Sequence, residues 1–380
     1  MKRATVFAAL TLCLSMIPTT HAAPAPAAKA QTDIDVVVCL DVSGSMNGLV
    51  ESARAKLWDI VNNLGKIKPT PNLRVSLYSY GHQTYSKESG WVRQEIGLTD
   101  DLDTVYKKLF ALTLNGGTEL VARVVKTSLE KENWSKKKNA LRIIFVCGNE
   151  SASQDKQNSL ADVAKLAVKN DVVVNTIYCT SPSFREDKGW AQLSALAEGS
   201  HARIDQNKGI VRIATPHDKK LAELSGKLNT TYLACGNEKL RKDVKAQQSA
   251  QDRNAARSGG GVAAGRALSK ASALYRNARW DLVDRYKLDP KKFDITKIPV
   301  EHLPKEMQKM KPAERVAHIK KMLAKRKEIQ DEIKKLSVLR EQYRQKEMKK
   351  RNLKTDKAFD AAINKALESQ ASRKGLTIPK

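Results

Sequence analysis

Short apolar runs alternate with amphipathic segments along the first half of the chain. Residues 34–40 form an almost continuously apolar run, which is typical of a strand covered on both faces. Residues 49–64 have apolar positions at helical spacing and predict a helix. The same alternation continues to about residue 204. Further strands are predicted at 73–80, 91–96, 141–146, 172–178 and 202–204, and further helices at 101–112, 119–130, 160–168 and 190–197.

This alternation predicts an α/β fold with a doubly wound, mostly parallel sheet of the Rossmann-like kind. Residues 91–96 are the exception, because the short polar connection before them allows them to pair back on residues 73–80. Ligands of such sheets bind outside the carboxyl ends of the strands. Asp41 directly follows the first predicted strand and therefore lies at that end.

A further helix is predicted to begin at Thr215 and Pro216, because threonine caps helices and proline is tolerated in their first turn. Three leucines at helical spacing are expected to pack this helix on the sheet. They are Leu221, Leu224 and Leu228. The α/β domain is accordingly predicted to span residues 34–235.

Beyond this domain the chain becomes rich in Lys, Arg, Gln and Ala. Residues 236–300 are interpreted as a polar helical extension, and the glycines at 259–261 are expected to form a flexible linker. Residues 301–380 are predicted to form a basic helical region. An apolar seam recurs there every seven residues, at Met322, Ile329, Leu336 and Tyr343, with Ile333 between. It indicates either a coiled coil or an antiparallel hairpin in which residues 358–367 fold back, and Arg326 and Arg340 interrupt it.

The first 22 residues have the order of a secretory signal peptide. Lys2 and Arg3 precede an apolar stretch over 4–17, and cleavage is expected after Ala22. Residues 23–33 then form an Ala/Pro-rich linker. We therefore expect an exported protein, periplasmic or secreted. No later stretch is apolar enough to predict a transmembrane segment.

Charge gives a first indication of the partners. The formal net charge is +27 and stays strongly positive without Lys2 and Arg3, so the chain is expected to be attracted to anionic surfaces. Nucleic acid is not the expected target, because the protein is predicted to be exported and only 5% of its residues are aromatic. The basic region 301–380 is instead a candidate for contact with anionic lipids or envelope polymers.

Four cysteines remain after the predicted cleavage site: Cys39, Cys147, Cys179 and Cys235. They lack the CxxC spacing of structural zinc sites. Three of them end apolar runs, so we interpret them as small buried thiols and leave their disulfide state open.

The loop Asp41-Val42-Ser43-Gly44-Ser45 offers one carboxylate and two hydroxyls at alternate positions. In a tight turn, these oxygens can converge on one point. Thr118, in the Gly116-Gly117-Thr118 segment, would add a third hydroxyl from across the cleft. Oxygen ligands with room for water suit Mg²⁺ or Mn²⁺.

These two motifs, together with the order of strands and helices, resemble a von Willebrand factor A domain over residues 34–235. The resemblance implies a metal-ion-dependent adhesion site in which Asp41, Ser43, Ser45 and Thr118 contact the ion and a partner completes its coordination. Three segments also resemble a group of exported bacterial proteins that join this domain to a basic helical tail. They are residues 228–232, 251–252 and 280–284. That second resemblance supports the architecture and implies no function.

One position departs from the family pattern, which places an aspartate before a glycine after the fourth strand. Here Cys147 takes the place of the usual aspartate, and Asn149 and Glu150 follow as possible substitutes, acting through a water. With one carboxylate fewer, affinity for a divalent ion should fall. Three alternatives stay open at this stage: a weakened magnesium site, a metal-free loop, and a soft-metal site that uses Cys147.

Three functions are compatible with these patterns. The first is a non-enzymatic protein-binding or adhesion module of the cell envelope that recognises its partner at the cation loop. The second is an envelope protein whose basic tail binds anionic material while the loop is idle. The third is a hydrolase that uses Ser43 or Ser45, with His82 or His201 as base, but neither serine lies in a G-x-S-x-G motif.

Overall fold

The computed structural model describes residues 31–180, 188–205, 213–353 and 359–378, without the side chains of 359–361. The predicted signal peptide, 1–22, and residues 23–30 of the predicted linker, 23–33, lie outside the described residues. Residues Gln31–Lys380 form one compact unit.

Six strands form a single sheet in the order β3-β2-β1-β4-β5-β6. Their bounds are β1 Asp33–Asp41, β2 Asn72–Tyr80, β3 Val92–Thr99, β4 Leu141–Gly148, β5 Val173–Cys179 and β6 His201–Ile204. All neighbours are parallel except β2 and β3, which are antiparallel. The predicted doubly wound, mostly parallel sheet is confirmed, including the return of β3 on β2.

Helices cover both faces of this sheet, which explains why its central strands are apolar at nearly every position. In the first half of the chain they are α1 Asn47–Leu64, α2 Leu102–Ala111, α3 Val121–Lys131, α4 Leu160–Lys169 and α5 Lys188–Leu196. One core, the α1-side core, joins α1 and α2 to strand residues such as Ile34, Leu40 and Phe145. The α3-side core joins α3, α4 and α5 to Val37 and Ile144. Neighbouring residues of a strand thus lie in opposite cores.

The helix that follows β6 differs from its predicted packing. It is α6, Asp218–Asn229, and Thr215 stabilises its start by donating a 2.8 Å hydrogen bond to Asp218. Leu221, Leu224 and Leu228 lie in a separate helical core and not on the sheet, so that expectation was wrong. Their partners there include Ala267 of the next helical layer, whose small side chains allow close packing.

That helical layer continues with α7 Glu238–Arg257, α8 Gly260–Ala271, α9 Leu282–Leu288, α10 Lys305–Gln308 and α11 Pro312–Lys350. The predicted flexible linker at 259–261 is instead the corner between α7 and α8. Gly259 has φ +116°, which favours glycine, and α8 begins at the next residue. Glycine therefore permits a sharp turn here and does not separate two regions.

The predicted seam of α11 packs within the chain. Ile329 and Ile333 are buried in the helical core that contains α6 and α8, whereas Tyr343 is exposed. Arg326, which interrupts the seam in the sequence, is buried as well. It donates 2.8 Å hydrogen bonds to both Asp281 and Asp284.

The last helix, α12 Phe359–Arg373, does not form the predicted hairpin with α11. Its apolar residues Ile363 and Leu367 lie in the α1-side core, so the helix returns to the sheet. Gln370 and Asn175 of β5 exchange amide hydrogen bonds of 2.5 and 3.2 Å in the interior. Residues 213–353 are thus inserted between the last strand and the last helix of the α/β domain.

Buried charges join the inserted helices to the α/β domain. Asp103 of α2 accepts a 2.6 Å hydrogen bond from Arg266 of α8 and another of 2.6 Å from the Tyr275 hydroxyl. Arg266 also binds Asp252 of α7, and Lys270 binds the same carboxylate. Hydrogen-bonded ion pairs fix geometry where apolar contacts alone would permit sliding.

Two further predictions concern the chain as a whole. Within the described ranges, no helix is both long and apolar enough to span a membrane. Cys39, Cys147, Cys179 and Cys235 are free and buried, which agrees with the interpretation of the first three as small buried thiols.

Candidate functional site

Asp41 is the last residue of β1, at the carboxyl end of the sheet, and its side chain is fully buried. Its Oδ1 accepts a 2.8 Å hydrogen bond from the backbone N–H of Ser43, which draws the loop into a turn over the carboxylate. Its Oδ2 is buried and has no hydrogen-bond partner. An acceptor in that position is costly unless a cation or water approaches it.

Ser43 and Ser45 lie together on this turn, with their hydroxyl oxygens 3.4 Å apart. Asn149, in the loop after β4, donates a 2.9 Å hydrogen bond from Nδ2 to the Ser45 hydroxyl. That bond leaves the Oδ1 of Asn149 buried without a partner. The site thus holds a second acceptor oxygen with unmet bonding capacity.

The segment that carries Thr118 lies against the cation loop. Asn115 donates a 3.1 Å backbone hydrogen bond to the carbonyl of Val42. Gly117 approaches the loop after β2 so closely that a Cβ on it would lie 2.5 Å from the carbonyl oxygen of Gly81. This glycine therefore lets the two loops meet and brings Thr118 to the same end of the sheet.

The position that faces Asp41 from β4 is Gly148, which corrects the assignment of that place to Cys147. Cys147 is buried in the α1-side core, whereas Asp41 and Gly148 lie on the other side of the sheet. A Cβ at Gly148 would lie 3.1 Å from the Oδ2 of Asp41 but only 2.5 Å from the Tyr80 hydroxyl. Tyr80 therefore occupies the space that a side chain at position 148 would need.

The thiol of Cys147 is also a poor metal ligand. Burial raises its pKa well above the ordinary value, and the neighbouring acidic groups Cys179, Cys39 and Asp41 raise it further. A thiol binds metal as thiolate. The soft-metal alternative therefore has no support from this environment.

Glu119 is a site residue that the sequence reasoning missed. It is only 9% exposed, and a Cβ on Gly81 would lie 2.9 Å from its Cγ and 3.1 Å from the Oδ1 of Asp41. Its position directly after Thr118 was the available signal. Glu150, in contrast, is exposed.

Burial raises the pKa of Asp41 to about 7, the Ser43 hydrogen bonds oppose this rise, and the charges of Glu119 and Glu150 add to it. Burial also raises the pKa of Glu119, and Glu150 contributes in the same direction. These neighbours disfavour the ionised carboxylates, whereas a cation would favour them. The electrostatics are those of a site that lacks positive charge.

The histidines do not assemble a hydrolytic site with Ser43 or Ser45. The two ring nitrogens of His82 contact the hydroxyls of Thr84 and Thr113 at 2.9 and 3.2 Å. His201 is on β6, separated from β1 by β4 and β5, and its Nδ1 lies 2.8 Å from the Thr176 hydroxyl. Neither residue contacts the candidate nucleophiles among the described hydrogen bonds.

The arrangement of carboxylate, hydroxyl and amide oxygens fits a hard divalent cation. Among the described residues, no group of three or more His, Cys, Asp or Glu side chains is placed to hold a metal ion, so any ion at this end of the sheet would also need hydroxyl and amide oxygens. The unpartnered Oδ2 of Asp41 and Oδ1 of Asn149 supply oxygens of the type that Mg²⁺ and Mn²⁺ prefer.

Several solved structures are similar to this chain, all at low identity. One is proximal thread matrix protein 1 from the mussel byssus with a zinc-occupied MIDAS motif, at 12% identity and a TM-score of 0.38, covering 47% of this chain and 43% of that one. The chain thus spans less than half of the mussel protein. The SpRpn10 VWA domain matches at 16% identity and a TM-score of 0.36, covering 47% of this chain and 90% of that one.

An aerotolerance-related membrane protein from Bacteroides fragilis matches at 15% identity and a TM-score of 0.31, covering 45% of this chain and 92% of that one. No curated protein sequence matches the chain.

The family model of the von Willebrand factor type A domain matches residues 35–210. This range contains β1 to β6, the cation loop at 41–45 and the segment with Thr118. Domains of this type are generally non-catalytic modules that mediate protein interactions. The chain therefore contains a von Willebrand factor type A domain over residues 35–210, and α12 packs against the sheet of this domain from beyond the matched range.

Proposed function

We propose that the chain is a cation-dependent protein-binding module of the cell envelope. Its binding face is the carboxyl end of the sheet, where Asp41, Ser43, Ser45 and Thr118 would hold Mg²⁺ or Mn²⁺ together with Asn149. The ion would supply a positive centre with an open coordination position. An acidic side chain of a protein partner is the group that would fill that position.

The observation that carries this proposal is the pair of buried, unpartnered oxygens, Asp41 Oδ2 and Asn149 Oδ1. Buried polar groups in folded proteins are almost always bonded to protein or to ordered water, so two unpartnered oxygens at one site offer a place for a cation or for water. Asn149 also provides an oxygen ligand in place of the carboxylate that was expected to be missing at position 147. It reaches the site from the loop after β4, as a carboxylate ligand from that strand would.

The other parts of the proposal rest on the sequence. Export follows from the signal-like order of residues 1–22 and stays a prediction. A contact between the basic region 301–380 and anionic lipids or polymers also stays a prediction. The hydrolase alternative has less support, because His82 and His201 both contact threonine hydroxyls through their ring nitrogens.

Calorimetric titration of the full chain with Mn²⁺ tests the ion site. We expect the wild type to bind Mn²⁺ and Asp41→Asn to lose this binding, since the substitution removes the only fully buried carboxylate of the loop. Without metal and at pH 8, Asp41→Asn should unfold at the same temperature as the wild type or at a higher one. The pKa of Asp41 near 7 means that its charged form is already penalised at that pH.

Asp35→Asn is the matched control, because Asp35 is equally buried in the same strand but lies at its opposite end. Asp35 pairs with Arg74 at 2.7 Å, so its substitution should lower stability and leave Mn²⁺ binding unchanged. Equal heats for the wild type and Asp41→Asn, or no binding by either, would refute the ion site. Chelator-sensitive capture of an envelope protein, absent with Asp41→Asn, would then test partner binding.

A further inference from the structure

Three polar side chains surround Gly81, the residue that follows β2. A Cβ at this glycine would lie 2.9 Å from the Cγ of Glu119, 3.1 Å from the Oδ1 of Asp41 and 3.7 Å from the Cβ of Ser43. Gly81 has φ +80°, so glycine is favoured by its conformation as well as by this crowding. The close approach places the side chain of Glu119 beside the cation loop.

Asp41 and Glu119 differ from the other buried carboxylates of the described chain. Most of those are paired with a buried or half-buried arginine. The pairs are Asp35 with Arg74, Asp103 with Arg266, Asp155 with Arg123, Asp218 with Arg340 and Asp281 with Arg326. Glu132 lacks such a partner but accepts hydrogen bonds from Ser76, Gln94 and the Leu98 N–H.

Around Asp41 and Glu119, the charged neighbours that act on either carboxyl group are acidic, although the uncharged side chains of Ser43 and Gln154 hydrogen-bond to Glu119. The fully buried Oδ2 of Asp41 has no partner at all. Buried carboxylates are normally paired with a cationic side chain or bound to a metal ion. Since no cationic side chain pairs with these two in the described ranges, an ion from solution is the remaining source of positive charge.

We propose that Glu119 is the second carboxylate of the ion site and replaces the one that β4 does not supply. The inference rests on the proposed function, because it presupposes an ion at Asp41. Gly148 cannot carry a side chain, since Tyr80 fills the space beside it. Glu119 restores the missing negative charge from the start of α3, so that two carboxylates balance the charge of a divalent cation.

Mn²⁺ titration of the full chain with Glu119→Gln tests this assignment. The substitution keeps the size of the side chain and removes its charge, and we expect Mn²⁺ affinity to fall about tenfold or more, the usual loss when a supporting ligand is changed. Glu119→Asp keeps the charge with a shorter reach and should bind with intermediate affinity. Without metal, the melting temperature of Glu119→Gln should not be lower than that of the wild type. The substitution removes a buried carboxylate that lies among like charges. The rise in melting temperature on adding Mn²⁺ should shrink.

Two controls separate this role from burial and from general charge. Glu132→Gln has the same 9% exposure at a distant hydrogen-bonded position and should keep the wild-type affinity. Glu150→Gln removes the exposed neighbouring charge and should change affinity less than Glu119→Gln. Wild-type affinity in Glu119→Gln, while Asp41→Asn binds no Mn²⁺, would overturn the role of Glu119 and leave the ion site intact. Absence of binding by the wild type would overturn both.

Discussion

At Asp41, the burial of the strand conflicts with the need of a carboxylate for hydrogen-bond partners. Its strand is buried on both faces, so the carboxylate that ends the strand leaves water almost completely. The Ser43 N–H donates a hydrogen bond to its Oδ1. The unmet Oδ2 costs stability in the folded chain, and this cost becomes useful only if binding of an ion removes it.

A substitution at Cys147 tests which residue of β4 faces the site. Cys147→Asp would place a carboxylate in the α1-side core beside apolar residues such as Leu40. We expect it to lower the free energy of unfolding by about 3–5 kcal/mol, measured by urea denaturation, because the charge has no partner there. Mn²⁺ affinity should not increase.

Cys147→Ser is the control for that experiment, since it keeps the size of the side chain and adds no charge. It should cost much less stability than Cys147→Asp. A stable Cys147→Asp variant with tighter Mn²⁺ binding would show that residue 147 points into the site and that the assignment of Gly148 is mistaken.

At this scale, the sequence predicted the loop residues but not their surroundings. Asp41, Ser43 and Ser45 were recognisable because their spacing is local. Glu119 was not, since its role depends on a contact with Gly81, almost forty residues earlier in the chain. The side of the sheet on which Cys147 lies depends on the register of β4, and a shift of one residue reverses it.

Among the elements, α12 shows why helices are easier to predict than their partners. The apolar positions of α6, α11 and α12 were all visible in the sequence. The apolar face of a helix does not, however, reveal which surface it packs against. A hairpin of α11 and α12 was a plausible prediction, because the two helices follow one another in the sequence. The structure instead uses α12 to cover the α1-side core, a contact between residues nearly two hundred positions apart.

A double-mutant cycle on Asn175 and Gln370 tests this docking. Each single substitution to Ala should destabilise the chain, because the remaining buried amide loses the hydrogen bonds between Asn175 and Gln370. The two losses should not add, and we expect a coupling energy of about 1–2 kcal/mol from urea denaturation. A pair on the exposed surface, Lys239 and Asp243, is a control that should couple by less than about 0.5 kcal/mol. Additive losses for Asn175 and Gln370 would mean that α12 does not lie on β5.

For the whole molecule, the insertion of residues 213–353 between β6 and α12 has a mechanical consequence. Both ends of the insert are attached to the α/β domain, and buried ion pairs such as Arg266 with Asp103 hold its middle. A helical tail attached at one end could move freely, whereas this region is fixed at several points. The basic surface of α11 is therefore carried in a defined position relative to the candidate ion site.

Lys270 makes the packing of the inserted helices against one another dependent on pH. Its side chain is fully buried, and its Nζ donates hydrogen bonds to Ser225, Asn229 and Asp252. Burial lowers the pKa of Lys270 to about 8, although Asp252 opposes the shift. In the unfolded chain the amine has its ordinary pKa near 10.5, so the unfolded state binds more protons between these values. Stability from this group therefore increases as pH rises from about 8 towards 10.5, and it is lost as pH falls through 8.

Lys270→Met removes this titration and leaves the acceptors around it unpaired. We expect the variant to be less stable by about 2–4 kcal/mol at pH 7, measured by urea denaturation. The difference from the wild type should widen by about 1–3 kcal/mol between pH 7.5 and 9.5, since only the wild type gains from deprotonation of the amine. Lys335→Met, on the exposed face of α11, is the control and should follow the wild type at every pH. A difference that stays constant or narrows over this range would mean that Lys270 is not buried in the junction between the inserted helices.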